Sequence, residues 1–346
     1  MTIPAQMRAL QLRAIGRLDA VTLPVPAPVP GELLIRTVAT TICTSDLNDM
    51  RENPFGMPLP RVLGHEGAGL VAAVGDGVTD FRIGDRVTAH PVIPCQQCPS
   101  CRRGLAHLCE RMGHLALDRD GTFAEYFCHP ARRVRRVPVG MDLAVAALME
   151  PVAVCLEALA RARVAAGETV LVVGDGPFGV IIARLAFHFQ PRTVILVGRH
   201  DFRLAQVPGA ICLHERHTDN MHEAIHRASG GQGVDAAILA VGTAEAVDLC
   251  LQSLHPRGRL AIFSAISQPA PVDLFLVHVK ELELLGACND EEALDEALAC
   301  LADPHLHLDG IITHRLPFDR WEEAMALAIR GKDEALKVAI TFEEPA

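Results

Sequence analysis

From Pro151 onward the chain alternates short apolar runs with segments whose apolar residues recur at helical spacing. Thr169–Val173 and Thr193–Val197 are almost uninterrupted β-branched and aliphatic runs, the pattern of strands buried on both faces. Val152–Arg163, Phe178–Phe189 and Ala244–Leu254 predict helices. Further strands are predicted at Val234–Val241, Arg259–Ala265 and Leu282–Leu285. Strands alternating with helices imply a parallel sheet covered on both faces. Before Pro151 the texture differs. Leu33–Val38, Gly69–Val74 and Arg86–Ala89 predict short strands, with loops at Pro24–Gly31 and Asp76–Gly77. After Gly286 the pattern is mixed: an acidic helix at Glu291–Leu301, a strand near Ile311–Arg315, a helix at Arg320–Arg330 and a last strand at Lys337–Phe342. The expected organisation is α/β. A doubly wound parallel-sheet domain, 151–286, is inserted between two pieces of a β-rich domain, 1–150 and 287–346.

Composition narrows the class. The chain has 346 residues, half of them hydrophobic, which rules out global disorder. A net charge of -10 argues against a nucleic-acid partner, since phosphate neutralisation needs a basic surface. The most apolar stretch, Leu143–Ala160, is broken by Glu150, Pro151 and Glu157, so no membrane span is expected. The opening MTIPAQMRAL lacks the charged start and apolar run of a signal peptide, and a cytoplasmic protein is expected.

The strand at Thr169–Val173 runs into Gly174-Asp175-Gly176-Pro177-Phe178-Gly179 and then a helix. In that context each glycine has a physical reason. Gly174 makes the tight turn, Gly176 lets backbone approach a pyrophosphate, and Gly179 permits close helix–strand packing. The helix start adds N–H donors and the positive end of its dipole. The second strand ends in Gly198-Arg199-His200, where an NAD site normally places a carboxylate for the ribose hydroxyls. Glycine leaves room there, and Arg199 and His200 offer positive charge to a 2′-phosphate. NADP is therefore the expected cofactor, with NAD the alternative. Asp201 lies three residues too late for the usual position.

Eleven cysteines, an odd number, do not read as a disulfide framework. Cys95, Cys98, Cys101 and Cys109 fall within fifteen residues and supply the four thiolates of a closed, structural zinc site; an iron–sulfur cluster could use similar ligands. Cys128, Cys155, Cys212, Cys250, Cys288 and Cys300 lie mainly in apolar runs and read as small hydrophobes. No role is assigned to His90, His107, His114 or His129.

Three further pieces remain: Cys43-Thr44-Ser45-Asp46, Gly64-His65-Glu66-Gly67 and Met149-Glu150-Pro151. Individually each is weak. In this order, with the four-cysteine segment, Gly84–Val87, the glycine fingerprint and Lys337-Val338, the whole chain resembles the zinc-dependent medium-chain alcohol dehydrogenases. The glutamate before the domain junction is similar to the sorbitol, polyol and threonine dehydrogenase branch. The resemblance implies a GroES-like β-rich domain, a Rossmann domain and a homodimer or homotetramer. It also implies two zinc ions, one catalytic and one structural. Cys43 and His65 would be fixed ligands of the catalytic ion. Glu66 would bind it directly in some states, and Glu150 would bind it or orient its water. Ser45 would receive the hydroxyl proton, and Asp46 would brace the loop. Many relatives have a histidine where this chain has Asn48, which cannot take up a proton at neutral pH, so the end of the relay differs here.

The expected reaction is hydride transfer between a secondary alcohol or polyol, or the matching ketone, and the nicotinamide. Two rivals are an NAD-dependent amino-acid dehydrogenase of the threonine type and a non-catalytic nucleotide-binding relative. A strand near Arg259–Ala265 is expected to form a sheet edge available to a second copy.

Overall fold

The computed structural model describes residues 2–266, 268–290 and 293–343. It opens with a hairpin of β1 (Gln6–Ala14) and β2 (Arg17–Pro24), turned at Gly16 with φ +77°. The long β3 (Glu32–Thr41) leads into α1 (Thr44–Glu52), and β4 (Arg61–Val62) pairs back onto β1. Next come β5 (Glu66–Val74), β6 (Arg86–Ala89), β7 (Val92–Ile93), the single turn α2 (Pro99–Arg102) and β8 (Gly113–His114). Strands β9 (Tyr126–Pro130) and β10 (Val134–Arg136) complete the first part, and α3 (Leu143–Ala146) and α4 (Met149–Arg161) lead out of it.

The second part is a regular alternation: β11 (Thr169–Val173), α5 (Pro177–Ala186), β12 (Thr193–Gly198), α6 (Asp201–Leu204), β13 (Ile211–His214), α7 (Met221–Ala228) and β14 (Val234–Leu239). It continues through α8 (Ala244–Ser253), β15 (Leu254–Ile262), α9 (Leu274–Lys280) and β16 (Glu283–Gly286). Its sheet is wholly parallel, in the order β13-β12-β11-β14-β15-β16. That order reverses at β11, so the crevice beyond the carboxyl ends of β11, β12 and β14 is where a ligand is expected. Every residue of β11 is buried, as an apolar run flanked by strands and covered by helices should be.

The chain then returns to its first part through α10 (Leu294–Ala302), β17 (Ile312–Pro317), α11 (Trp321–Arg330) and β18 (Lys337–Thr341). Strand β18 pairs antiparallel with β3, placing Ala339 opposite Thr41, while β3 places Thr41 opposite Glu66 on its other side. That register brings the end of the chain to the β5 strand start. The main core cluster stacks Met149, Val152, Leu156 and Leu159 of α4 against Ile181 and Leu185 of α5 and Leu298 of α10. Helix α4 thereby joins the β-rich part to the parallel sheet.

Some sequence expectations change. The helix expected from Val152 begins at Met149, which puts Glu150 and Pro151 in its first turn, where a missing proline N–H costs nothing. Helix α10 starts at Leu294, and Glu291 and Glu292 lie outside the described residues. The segment Arg259–Ala265 is not an edge. Strand β15 runs Leu254–Ile262 between β14 and β16, and β16 is the edge. Among the described residues no helix is long and apolar enough to cross a membrane.

Candidate active site

Asp46 organises the loop after β3. Its buried carboxylate accepts the N–H of Cys43 at 2.9 Å and the N–H of Gly64 at 3.1 Å, and lies 3.3 Å from His65 Nδ1. Gly64 adopts φ +86°, and a Cβ there would lie 2.2 Å from the Phe123 ring, so this turn requires glycine. With Nδ1 held by Asp46, Nε2 of His65 faces Ser45 Oγ at 3.4 Å. The Cys43 sulfur, a His65 nitrogen and a Glu66 oxygen all lie within 4.8 Å of one another, and all three residues are buried. Burial alone would make the His65 imidazole less basic, but Asp46 and then Cys43 outweigh it and hold the pKa well above the ordinary value. The pocket thus favours positive charge among its anionic donors.

Glu66 is not a free carboxylate. Lys337 Nζ donates to Oε1 and, at 2.6 Å, to Oε2, while the Thr41 hydroxyl also donates to Oε2. Lys337 is almost fully buried. Burial would lower its pKa, yet the Glu66 charge and then that of Cys43 raise it above the usual lysine value. Glu150 stands outside the three-residue ligand group. Its Oε2 is buried without a hydrogen-bond partner. Burial is the main cause that raises its pKa to about 7, with Glu66 adding to the effect against His65. An orphaned carboxylate oxygen beside a thiol and an imidazole is a donor set that fits a zinc ion with an open coordination position.

The four clustered cysteines are brought together on the lobe between β7 and β8. All are free thiols, with Cys98 and Cys109 sulfurs 3.8 Å apart and all four within 4.8 Å. Zn–S bonds of about 2.3 Å at tetrahedral angles place sulfurs about 3.8 Å apart. That spacing fits a single ion and is too tight for an iron–sulfur cluster. Backbone N–H groups point at the sulfurs: Gln97 and Cys98 at Cys95 (3.4 and 3.3 Å), Cys101 at Cys98 (3.4 Å) and Arg111 at Cys109 (3.4 Å). Those donors stabilise thiolates, and the Gln97 N–H is the largest influence lowering Cys95 to about 6. Replacing Cys101 with serine is expected to remove one zinc per chain and lower Tm by about 5 °C or more, read by metal analysis and thermal melting. Unchanged zinc content and melting would refute the metal lobe.

A cleft of about 590 Å³ lies between the two parts. Cys43, Thr44 and Asn48 line one wall, Gly176 and Pro177 another, and Arg203 and Lys332 add positive charge. Gly174, Gly176 and Gly179 sit at the β11–α5 turn; a Cβ on Gly179 would lie 1.9 Å from the Gly174 carbonyl oxygen. Pro177 is the first residue of α5, and Phe178 packs edge-on to Phe263. The end of β12 is not the open, positive tip that its sequence suggests. A Cβ on Gly198 would collide with the side chain of Asp175, at 2.5 Å from its Cβ. Arg199 is paired with Glu215, and His200 Nδ1 lies 2.9 Å from Asp175 Oδ2. Asp201 instead heads α6, with its carboxylate in solvent 3.7 Å from His214.

The structure places several residues whose roles the sequence left open. Asn48 accepts from Arg51 at 3.1 Å rather than ending a relay. His90 is buried against Asp290 and Arg133, and the His114 ring stands 5.6 Å from that of His65. Lys337, a charge inside an apolar final strand, was the one signal available. Cys155, Cys250 and Cys300 are buried as expected, whereas Cys212 and Cys288 are exposed, contrary to a core role.

Fold and site together define an oxidoreductase of the zinc-binding dehydrogenase class. Residues 29–139 match the family described as alcohol dehydrogenase GroES-like domain, and residues 177–303 match zinc-binding dehydrogenase. Sorbitol dehydrogenase of Bacillus subtilis is 30% identical across 98% of both chains. L-threonine 3-dehydrogenase of Pyrococcus abyssi is 32% identical over 91% of this chain and 92% of its own. Among solved structures, a zinc-binding dehydrogenase of Sinorhizobium meliloti bound to NADP superposes with TM-score 0.89 at 26% identity, covering 98% of this chain and all of its own. An alcohol dehydrogenase of Escherichia coli complexed with NADH gives TM-score 0.92 at 25% identity over the same shares. The chain belongs to the zinc-dependent medium-chain alcohol dehydrogenase family.

Proposed function

We propose that the protein oxidises a secondary alcohol or polyol, or reduces the matching ketone, with a nicotinamide dinucleotide. The carrying observation is the buried Cys43–His65–Glu66 group, with the unpartnered Glu150 oxygen, beside a cleft whose other wall is the Gly176–Pro177 turn. When bound, zinc would supply Lewis-acid polarisation of the alcohol oxygen and a nicotinamide dinucleotide would supply the hydride acceptor or donor. The chain's own residues do the rest. Cys43 and His65 hold the metal, Asp46 fixes the orientation of His65, and Lys337 restrains Glu66. Ser45 can receive the substrate hydroxyl proton because its own hydroxyl donates and accepts together. Glu150 supplies a further carboxylate toward the metal shell. Cys95, Cys98, Cys101 and Cys109 hold a second, structural zinc.

The similarity to sorbitol dehydrogenase supports the polyol reading of the substrate; the threonine 3-dehydrogenase relative supports an amino alcohol as the second reading. Gly198, Arg199 and His200 are the sequence-based grounds for NADP, but in the structure Arg199 is tied to Glu215 and His200 to Asp175. A second reading, NAD, is favoured by the Asp175 carboxylate at the same tip. Metal analysis, combined with oxidation of secondary alcohols, polyols and L-threonine with each dinucleotide, tests the function. Two zincs per chain with turnover are expected. A preparation with zinc only in the Cys95 lobe and no turnover on any substrate would overturn it.

The edge strand β16 and the neighbouring helix α9 form the self-association face. Among the described residues β16 pairs only with β15, and Leu274, Phe275 and Val279 of α9 are exposed. Light scattering is expected to give at least twice the mass of one chain; a monomer at micromolar concentration contradicts this face.

A further inference from the structure

Gly174 leaves the end of β11 at φ +119°, a conformation that favours glycine, and the turn carries Asp175 across to the end of β12. There a single oxygen, Asp175 Oδ2, accepts the N–H of Arg199 at 2.7 Å and the N–H of His200 at 2.7 Å, and lies 2.9 Å from His200 Nδ1. A Cβ placed on Gly198 would lie 2.7 Å from that same oxygen. The carboxylate therefore occupies the volume that a side chain at the end of β12 would fill. The strand lacks its acidic residue, and the glycine loop supplies one from the neighbouring strand. Asp175 is nearly buried, and among the described residues no hydrogen bond engages its Oδ1.

Beside it lies a cavity of about 240 Å³, lined among others by Gly174, Asp175, Gly198 and Thr243. Of the four basic residues that line this cavity, the two at the end of β12 are committed. The Arg199 guanidinium is tied to Glu215, and His200 to Asp175. Arg203 and Lys332 line this cavity and also the larger cleft beneath α5, where a pyrophosphate would lie. At the tip itself the group placed to meet a ligand is an anion.

We propose that Asp175 accepts the 2′- and 3′-hydroxyls of the adenosine ribose and sets the cofactor preference of this chain toward NAD. The proposal rests on the dinucleotide reading of the cleft. A ribose diol can donate two hydrogen bonds to a carboxylate. A 2′-phosphate would instead bring negative charge to within hydrogen-bond distance of Asp175, and like charges so close repel strongly. Gly198 is then a residue that makes room for the transposed carboxylate, and Arg199 serves Glu215 rather than a phosphate.

Fluorescence titration of the zinc-replete protein with NADH and with NADPH tests it. The parent is expected to bind NADH at least tenfold more tightly. In Asp175→Ala the NADH affinity should fall about tenfold or more, with NADPH unchanged or tighter, so that the ratio collapses. Asp175→Asn retains an oxygen for the Arg199 and His200 N–H groups and removes the charge, so NADPH should tighten even if the alanine variant folds poorly. A merely structural Asp175 would weaken both dinucleotides together and leave the ratio in place. A parent that prefers NADPH, or variants that keep the parental ratio, overturn the proposal. Failure of the parent to bind either dinucleotide overturns the reading beneath it as well, which separates the two failures.

Discussion

Replacing Glu150 with alanine is expected to lower kcat about a hundredfold or more, while the Kd for the dinucleotide stays within about twofold. The carboxylate sits in the first turn of α4, outside the group formed by Cys43, His65 and Glu66, with one oxygen buried and unpaired. An orphaned buried acceptor costs stability unless a ligand satisfies it, so its removal should leave Tm unchanged or raise it slightly. Falling activity with maintained or rising stability is the signature of a group kept for chemistry. Glu150→Gln keeps the shape and removes the charge, and should lose nearly as much activity. Steady-state kinetics, NADH titration and thermal melting read all three quantities. Parallel loss of turnover and dinucleotide affinity would instead make Glu150 a brace between the two parts of the molecule, through α4.

What the chain declares in advance depends on how local the signal is. Strands β6 and β11 have the bounds that their runs of apolar and β-branched residues predict. The hairpin β1–β2 was not predicted because β2 lies on the surface, alternating half-buried and exposed positions that include Arg17 and Asp19. Strand β15 starts at Leu254, earlier than expected, because Pro256 and Gly258 look like a loop; the stretch does break the strand locally, with Arg257 at φ +65° and the pairing with β14 resuming at Arg259. Helix α9 has no polar side in its pattern, because Leu274, Phe275 and Val279 face outward while Leu276 and Val277 pack inward. The site divides the same way. Asp46 in the first turn of α1 and Gly64, His65 and Glu66 around the start of β5 lie in nearby segments, and the four cysteines fall in one segment. Lys337 and Glu66 are 271 positions apart, joined only by the pairing of β18 with β3 and β3 with β5. Asp175 stood in plain view within the glycine fingerprint. Its direction depends on the backbone angle of Gly174, which no residue pattern states, so the tip of β12 read as vacant and positive.

The Lys337–Glu66 pair carries the largest expected effect on stability. Replacing Lys337 with methionine keeps the volume of the side chain but leaves the Glu66 carboxylate buried with Thr41 as its remaining side-chain donor. Breaking one side of a buried ion pair typically costs about 3–5 kcal/mol, because the surviving charge keeps its desolvation penalty without the compensating partner. For a chain of this length that corresponds to a fall in Tm of about 10 °C. The double variant Glu66→Gln/Lys337→Met removes both charges, and should recover most of the loss, since a neutral amide can still bond to Thr41. Thermal and urea melts of the parent, both single variants and the double variant close the cycle. If Lys337→Met melts with the parent, the pair is not a structural clamp. If the double variant is no more stable than Lys337→Met, the cost lies in the packing of the lysine stem rather than in its charge. The cycle also bears on chemistry. A Glu66 held this firmly is restrained from the metal, so freeing it in Lys337→Met should alter kcat beyond the change in stability, and Glu66→Gln should abolish that extra effect.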